Sequence, residues 1–233
     1  MSLNGKYSLG ILLTFTLLAL VMLYAVPFIN LIIDAKGITA TNFFYSRITL
    51  WFVLIIILLY SIFIEKNSFL IWKDKTFSTG FYLAAIFSLY FICTMGGGLL
   101  NGLISIITHE KISDKLIKLQ SIFKNNYFLI IFTCLTAGVV EEFLMRGYIQ
   151  PRIEKIYNSP FLGVAISAIL FGILHSTYGT IGQVVGTLFI GIVFAVFYKL
   201  YSNIKIVIIC HFMFDFVSLM IMNFIDSKHL SAF

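Results

Sequence analysis

Charge is what this sequence has least of. Asp, Glu, Lys and Arg make up 11% of its 233 residues against 60% hydrophobic residues, and a mean hydropathy of +1.01 excludes a soluble domain with a polar surface. Cysteine is nearly absent. Cys93, Cys134 and Cys210 sit inside apolar runs without CxxC spacing, which excludes a disulfide framework and a thiolate metal site and leaves them as small apolar residues. No internal repeat, low-complexity tract or small-residue cleavage site after the first apolar run is found, so the N-terminal run is expected to stay in the protein. The formal charge of +6 comes from lysines and arginines spread through the loops, as where loops meet anionic headgroups, and does not point to nucleic acid.

What is present is apolar sequence long enough to cross a bilayer repeatedly, at roughly 20 residues per helical crossing. The chain therefore reads as all-α, a polytopic transmembrane helical bundle forming a single integral membrane domain over residues 1–233. Seven spans fall near 9–33, 47–64, 79–107, 127–145, 159–175, 180–200 and 204–224. The third carries Gly96, Gly97 and Gly98. It reads as one tilted helix, a kinked helix, or a span followed by a re-entrant half-helix, which would add an eighth crossing. Residues 109–126 place Ile112, Leu116, Leu119 and Phe123 at helical spacing among lysines, the pattern of an interfacial helix. Its "HEKIS" begins like the zinc-protease motif, but Ser113 stands where the second histidine must be. Nine of the sixteen basic residues, Arg146 and Arg152 among them, fall on the N-terminal side of a seven-span topology, a lean towards that side being cytoplasmic.

Against this background "VVEEFLMRGY", residues 139–148, stands out: two carboxylates and a guanidinium directly follow an apolar run. Three late spans carry pairs at i, i+4, on one helical face: Glu142 with Arg146, Phe171 with His175, and His211 with Asp215. Glu141 sits beside the first, rotated by about 100°. Taken singly, each residue has a structural explanation: an ion pair at a helix end, a histidine at the interface, an internal hydrogen bond. Taken together they do not, because each ionisable group in a bilayer costs on the order of 2.5–3.5 kcal/mol on insertion scales and here they gather on spans four, five and seven. Carboxylates and imidazoles from separate helices are what general-base hydrolysis requires: a base to deprotonate water and donors for a developing oxyanion. Cys134, seven residues before Glu141, has no adjacent base and reads as core, and Gly182 with Gly186 form a GxxxG that reads as helix packing.

"EEFLMRGY" fits E-E-x-x-x-R, "FGILH" fits F-x-x-x-H and "HFMFD" fits H-x-x-x-N/D, in that order on successive late spans. The chain thereby resembles the CPBP family, the CAAX proteases and bacteriocin-processing enzymes also called the Abi family, over a motif-bearing core of residues 127–224. The resemblance implies a bundle with a membrane-embedded polar cavity in which Glu141 activates water for peptide hydrolysis. It implies that His175 helps hold the water, that His211 and Asp215 line the oxyanion side, and that Glu142 and Arg146 form a supporting ion pair, with Phe171 the aromatic member of its motif. Asparagine is frequent where this chain has Asp215; an amide can donate to an oxyanion and an ionised carboxylate cannot. Asp215 is thus a protonated donor, an orienter of His211, or a metal ligand. Zinc stays open in the same way: such enzymes have been described both as metalloproteases and as metal-independent, and a zinc set would be Glu141, His175, His211 and Asp215. Catalysis without an obligatory metal is the expectation.

The partners expected are the lipid bilayer and a membrane-associated peptide or protein substrate. The Phe-, Ile-, Lys- and Asn-rich composition points to a bacterial cell membrane and to a peptide precursor rather than a CAAX tail. The alternative is a non-catalytic membrane scaffold or bacteriocin self-immunity protein of the same fold, which has no need to meet the insertion cost of Glu141. A transporter would be expected to show internal pseudo-symmetry.

Overall fold

The computed structural model describes residues 1–110 and 113–224, and among these residues the secondary structure is helical throughout, without strands. The helices are α1 (Leu3–Ile33), α2 (Ala40–Tyr60), α3 (Thr79–Thr108), α4 (Asp114–Phe123), α5 (Tyr127–Thr136), α6 (Gln150–Tyr157), α7 (Pro160–Leu174), α8 (Ile181–Tyr201) and α9 (Ile204–Phe224). Seven helical stretches are long and apolar enough to cross a membrane: α1, α2 with its extension to Glu65, α3, the continuous run Tyr127–Tyr157, Pro160–Thr177, α8 and α9. The polytopic, all-helical reading is borne out. The third span is one unbroken helix through Gly96–Gly98, so the glycines add no eighth crossing.

Caps written in the sequence set the starts. Ser2, Thr39, Ser78, Ser113, Asn126, Ser159 and Thr180 each accept a hydrogen bond from a first-turn backbone N–H, satisfying donors that a helix leaves open. Between α6 and α7, Asn158 takes the left-handed conformation, Ser159 caps and Pro160 opens α7, a stop and restart within three residues.

The fourth span runs to Tyr157 rather than ending near residue 145. Its polar residues Arg146, Gln150 and Arg152 are buried and partnered inside the bundle, so they do not mark an exit to water. This also removes Arg146 and Arg152 from the loop charges on which the topology lean rests. Of this span's most apolar window 67% is buried, against 17–39% for the other six; it is the central post of the bundle. Its middle is wound as π-helix at Ala137–Glu141 and Phe143–Ile149.

The amphipathic helix α4 is present, with its apolar face turned inward. Leu119 and Phe123 are buried with Leu129, Ile130 and Cys134, and Leu116 packs against them. Its polar side ties down the end of α9: Gln120 donates to the Met222 carbonyl (3.1 Å), Lys124 to that of Asn223 (3.0 Å). Ile112 lies outside the described residues. Glu110, from the incomplete "HEKIS" motif, caps α8 by accepting from the Ile181 N–H at 3.0 Å and the Gly182 N–H at 3.3 Å, a use of carboxylate charge at a helix N-terminus.

Candidate active site

The π-helical turns carry the first motif. One extra residue per turn widens the helix where Glu141 and Glu142 emerge, and such bulges often occur at functional positions. Close approach of α9 is permitted by Gly138, where a Cβ would stand 3.0 Å from the Ile208 carbonyl oxygen and 3.2 Å from the Phe212 nitrogen. The second and third motifs follow from helix phase: His175 ends α7 at a 3₁₀ turn, and His211 and Asp215 lie one turn apart on α9.

Glu142 is the hub of one group. Its Oε1 accepts from Arg146 Nη1 at 2.8 Å and faces His211 Nδ1 at 2.7 Å, with Glu142 and Arg146 both wholly buried. A carboxylate paired with a guanidinium only accepts, so the hydrogen on this edge of the imidazole belongs to Nδ1. The other edge, Nε2, faces Asp215 Oδ2 at 3.5 Å. Arg146 continues to the Gly191 carbonyl (3.2 Å) and lies over the ring of Phe171, 4.4 Å from its centroid, a cation–π seat. Phe171 thus does more than mark its motif: its ring also packs on His175 at 4.5 Å and edge-on to His211 at 6.1 Å.

Glu141 and His175 form the second group. His175 Nδ1 lies 2.8 Å from the Phe171 carbonyl oxygen, which only accepts, so Nδ1 carries the hydrogen there too. His175 Nε2 faces Glu141 Oε2 at 3.9 Å, too far for a direct hydrogen bond. Glu141 Oε2 is buried and has no hydrogen-bond partner among the described residues.

Glu141, His175, His211 and Asp215 line one cavity of about 470 Å³, with Phe171 in its wall. That volume lies in the range of small-molecule and short-peptide sites. The structure therefore brings all seven motif residues together, four facing the cavity beside Phe171 and two, Glu142 and Arg146, behind it. As a zinc set the four do not converge: they stand as two pairs, and among the described residues no three His, Cys, Asp or Glu side chains are arranged to hold a metal ion.

The comparisons agree with the motifs. Residues 123–217 match the family model "Type II CAAX prenyl endopeptidase Rce1-like". The matched segment contains all three motifs, and the resemblance to the CAAX proteases drawn from them is borne out. No curated protein and no solved structure matches the chain. The matched segment runs from the end of α4 into α9, and the rest of the cavity wall comes from α2, α3 and α4 before it and from Ser218, Leu219 and Met222 after it.

Some of that wall is not evident from the motifs. Arg47 of α2 faces the cavity, as do Asn101 of α3 and Gln183 and Thr187 of α8. The GxxxG of Gly182 and Gly186 packs against the Asn101 side chain, whose Oδ1 would lie 2.7 Å from a Cβ at Gly182. An arginine within the second span is itself a signal; at residue 47 it reads as the edge of the span only because the helix start at Ala40 is not visible in hydropathy.

Proposed function

We propose that this membrane protein is an intramembrane endopeptidase that hydrolyses a peptide bond of a membrane-associated peptide or protein precursor with water activated by Glu141. The observation that carries the reading is the 3.9 Å gap between Glu141 Oε2 and His175 Nε2 in the cavity wall. Two acceptors at that separation suit one water, which donates a hydrogen to each at about 2.8 Å and keeps a lone pair directed into the cavity. As the water oxygen attacks the scissile carbonyl, Glu141 takes its proton and then delivers it to the leaving amine; His175, held by the Phe171 carbonyl, keeps the water aligned.

The negative charge that develops on the carbonyl oxygen falls on the side of His211 and Asp215. Arg146 and Glu142 fix the His211 ring, so its cavity-facing edge costs little reorganisation at the moment of reaction. With a hydrogen on each nitrogen, His211 donates to Glu142 and turns its second N–H to the oxyanion, and Asp215 orients that edge. No step is routed through a metal, because the donors form two separate pairs. The family match supports peptidase activity in general; the glutamate mechanism, a peptide precursor and a bacterial cell membrane are this reading's own additions.

The test is cleavage by detergent-purified protein of a quenched fluorescent peptide library, wild type beside Glu141→Gln and Glu142→Gln. Loss of all cleavage in Glu141→Gln at unchanged melting temperature supports the reading. Wild-type rates in that variant sink it.

A further inference from the structure

Arg47 is a cavity cation. It stands in α2, and among the described residues no carboxylate lies within ion-pair distance of it. Its guanidinium rests over the Phe43 ring, 4.7 Å from the centroid, and its Nε is buried with no hydrogen-bond partner among the described residues. Arg47 is half-buried, and an Nε so placed forfeits hydration without recovering a hydrogen bond, a cost that an arriving anion would reduce. A second cation stands close by: Lys115 borders the same small side pocket as Arg47 and donates to the Thr177 carbonyl at 2.8 Å. Burial first, and Arg47 second, push the Lys115 ammonium below its usual pKa.

The cavity thus has an acidic end, with Glu141 and Asp215, and a basic end at Arg47. Their separation follows from helix register. α2 and α5 run in the same direction: the Phe44 ring packs on Phe128 at 5.8 Å and on Phe132 at 4.8 Å, and Trp51 Nε1 donates to Thr136 Oγ1 at 3.0 Å. Arg47 lies four residues before Trp51 and Glu141 five residues after Thr136, an axial offset of about 13 Å at 1.5 Å per residue. An extended peptide covers that distance in about four residues.

We propose that Arg47 is the carboxylate-binding residue of the substrate cavity: a peptide with its scissile bond at Glu141 places a carboxylate, from its free C terminus or from an acidic side chain, on the Arg47 guanidinium within about four residues of the cut. The planar fork of arginine suits a carboxylate in two parallel hydrogen bonds. This inference rests on the hydrolytic reading above for its orientation, and on the Arg47 guanidinium for its chemistry.

Binding is measured on Glu141→Gln protein with a fluorescent apolar hexapeptide made as the free acid, as the C-terminal amide, and as an amide carrying one internal Glu. The expected result is that one or both carboxylate forms bind about 10- to 100-fold more tightly than the plain amide, the worth of a charge-assisted contact. Arg47→Ala removes the difference and Arg47→Lys keeps part of it; Arg47→Gln replaces the alanine variant if that one loses its melting transition. On protein with Glu141 intact, Arg47→Ala raises KM for the carboxylate peptide by a larger factor than it lowers kcat. Equal binding of the three peptides overturns the proposal, as does a carboxylate preference that survives Arg47→Ala and Arg47→Gln. Arg47-dependent binding of phosphatidylglycerol bicelles with no effect of the peptide carboxylate also overturns it, assigning the residue to lipid. A carboxylate preference without cleavage by any protein retaining Glu141 leaves this site standing and counts against the hydrolytic reading instead.

Discussion

The fourth span holds two buried glutamate–arginine groups, and they are built differently. At its far end Arg152 grips Glu65 of the second span: Nε lies 3.1 and 3.0 Å from the two carboxylate oxygens, Nη2 reaches Oε2, and Nη1 donates to the carbonyls of Phe69 (3.0 Å) and Tyr148 (3.2 Å). The Tyr148 hydroxyl adds a 2.6 Å bond to Glu65 Oε1, and its ring lies 3.6 Å below the guanidinium. No polar atom of Glu65 or Arg152 is among the buried atoms left without a partner. Earlier in the same span, Glu142 Oε2, Arg146 Nε and Glu141 Oε2 are all buried and have no hydrogen-bond partner among the described residues. One group is closed and joins helices; the other is left open beside a cavity, which is where reactive groups are useful and costly.

Breaking the closed group should have the largest effect on stability. Arg152→Met leaves Glu65 as an uncompensated buried charge, a cost of about 3–5 kcal/mol, read as a fall in the melting temperature of detergent-purified protein. Substituting Glu65→Gln together with Arg152→Met should recover much of that loss, because no charge is then stranded. In the open group the recovery should fail: Glu142→Met with Arg146→Met strands no charge but strips His211 of its acceptor at 2.7 Å, so cleavage stays low even where the melting temperature returns. A double variant with restored turnover would make Glu142 and Arg146 a simple pair, contrary to the shared hub seen here.

The site side of the comparison is sharpened by Asp215. Asp215→Ala should slow turnover by about 10²- to 10³-fold through loss of an oxyanion-side group, equivalent to about 2.7–4 kcal/mol, with little change in melting, since its side chain is partly exposed to the cavity (29%). Asp215→Asn should hold turnover within a few-fold, because its amide oxygen can still accept from the His211 edge that Asp215 orients. A zinc content that tracks activity across these variants, measured by elemental analysis, would contradict the metal-free reading. The smallest effect is expected at Phe171→Leu, which removes the ring under Arg146 and should cost about 0.5–2 kcal/mol of stability, visible as a modest drop in melting temperature.

Much of this was legible in the residues. Hydropathy located seven spans, and the i, i+4 pairs Glu142/Arg146 and His211/Asp215 placed side chains that the folded chain brings into one site. What hydropathy misread shares one physical cause: it counts polarity without knowing who the partner is. Gln150 and Arg152 look like the polar end of a span, yet Gln150 donates to the Ala195 carbonyl at 2.8 Å and Arg152 to Glu65, so the helix runs on to Tyr157. The lysines of α4 also have partners that spacing does not reveal: Lys115 and Lys124 bond the carbonyls of Thr177 and Asn223. Arg47 carried a signal that a count over loops discards.

The central claim is that Glu141, and not its neighbour, is the base. Glu141→Gln keeps size and shape but cannot take a proton, and general-base removal costs about 10²- to 10⁴-fold. The direct measurement is the single-turnover cleavage rate of this variant against wild type on one peptide, with melting curves of both: the account predicts a rate lower by at least about 10²-fold at an unchanged melting temperature. A rate within a few-fold of wild type would contradict it.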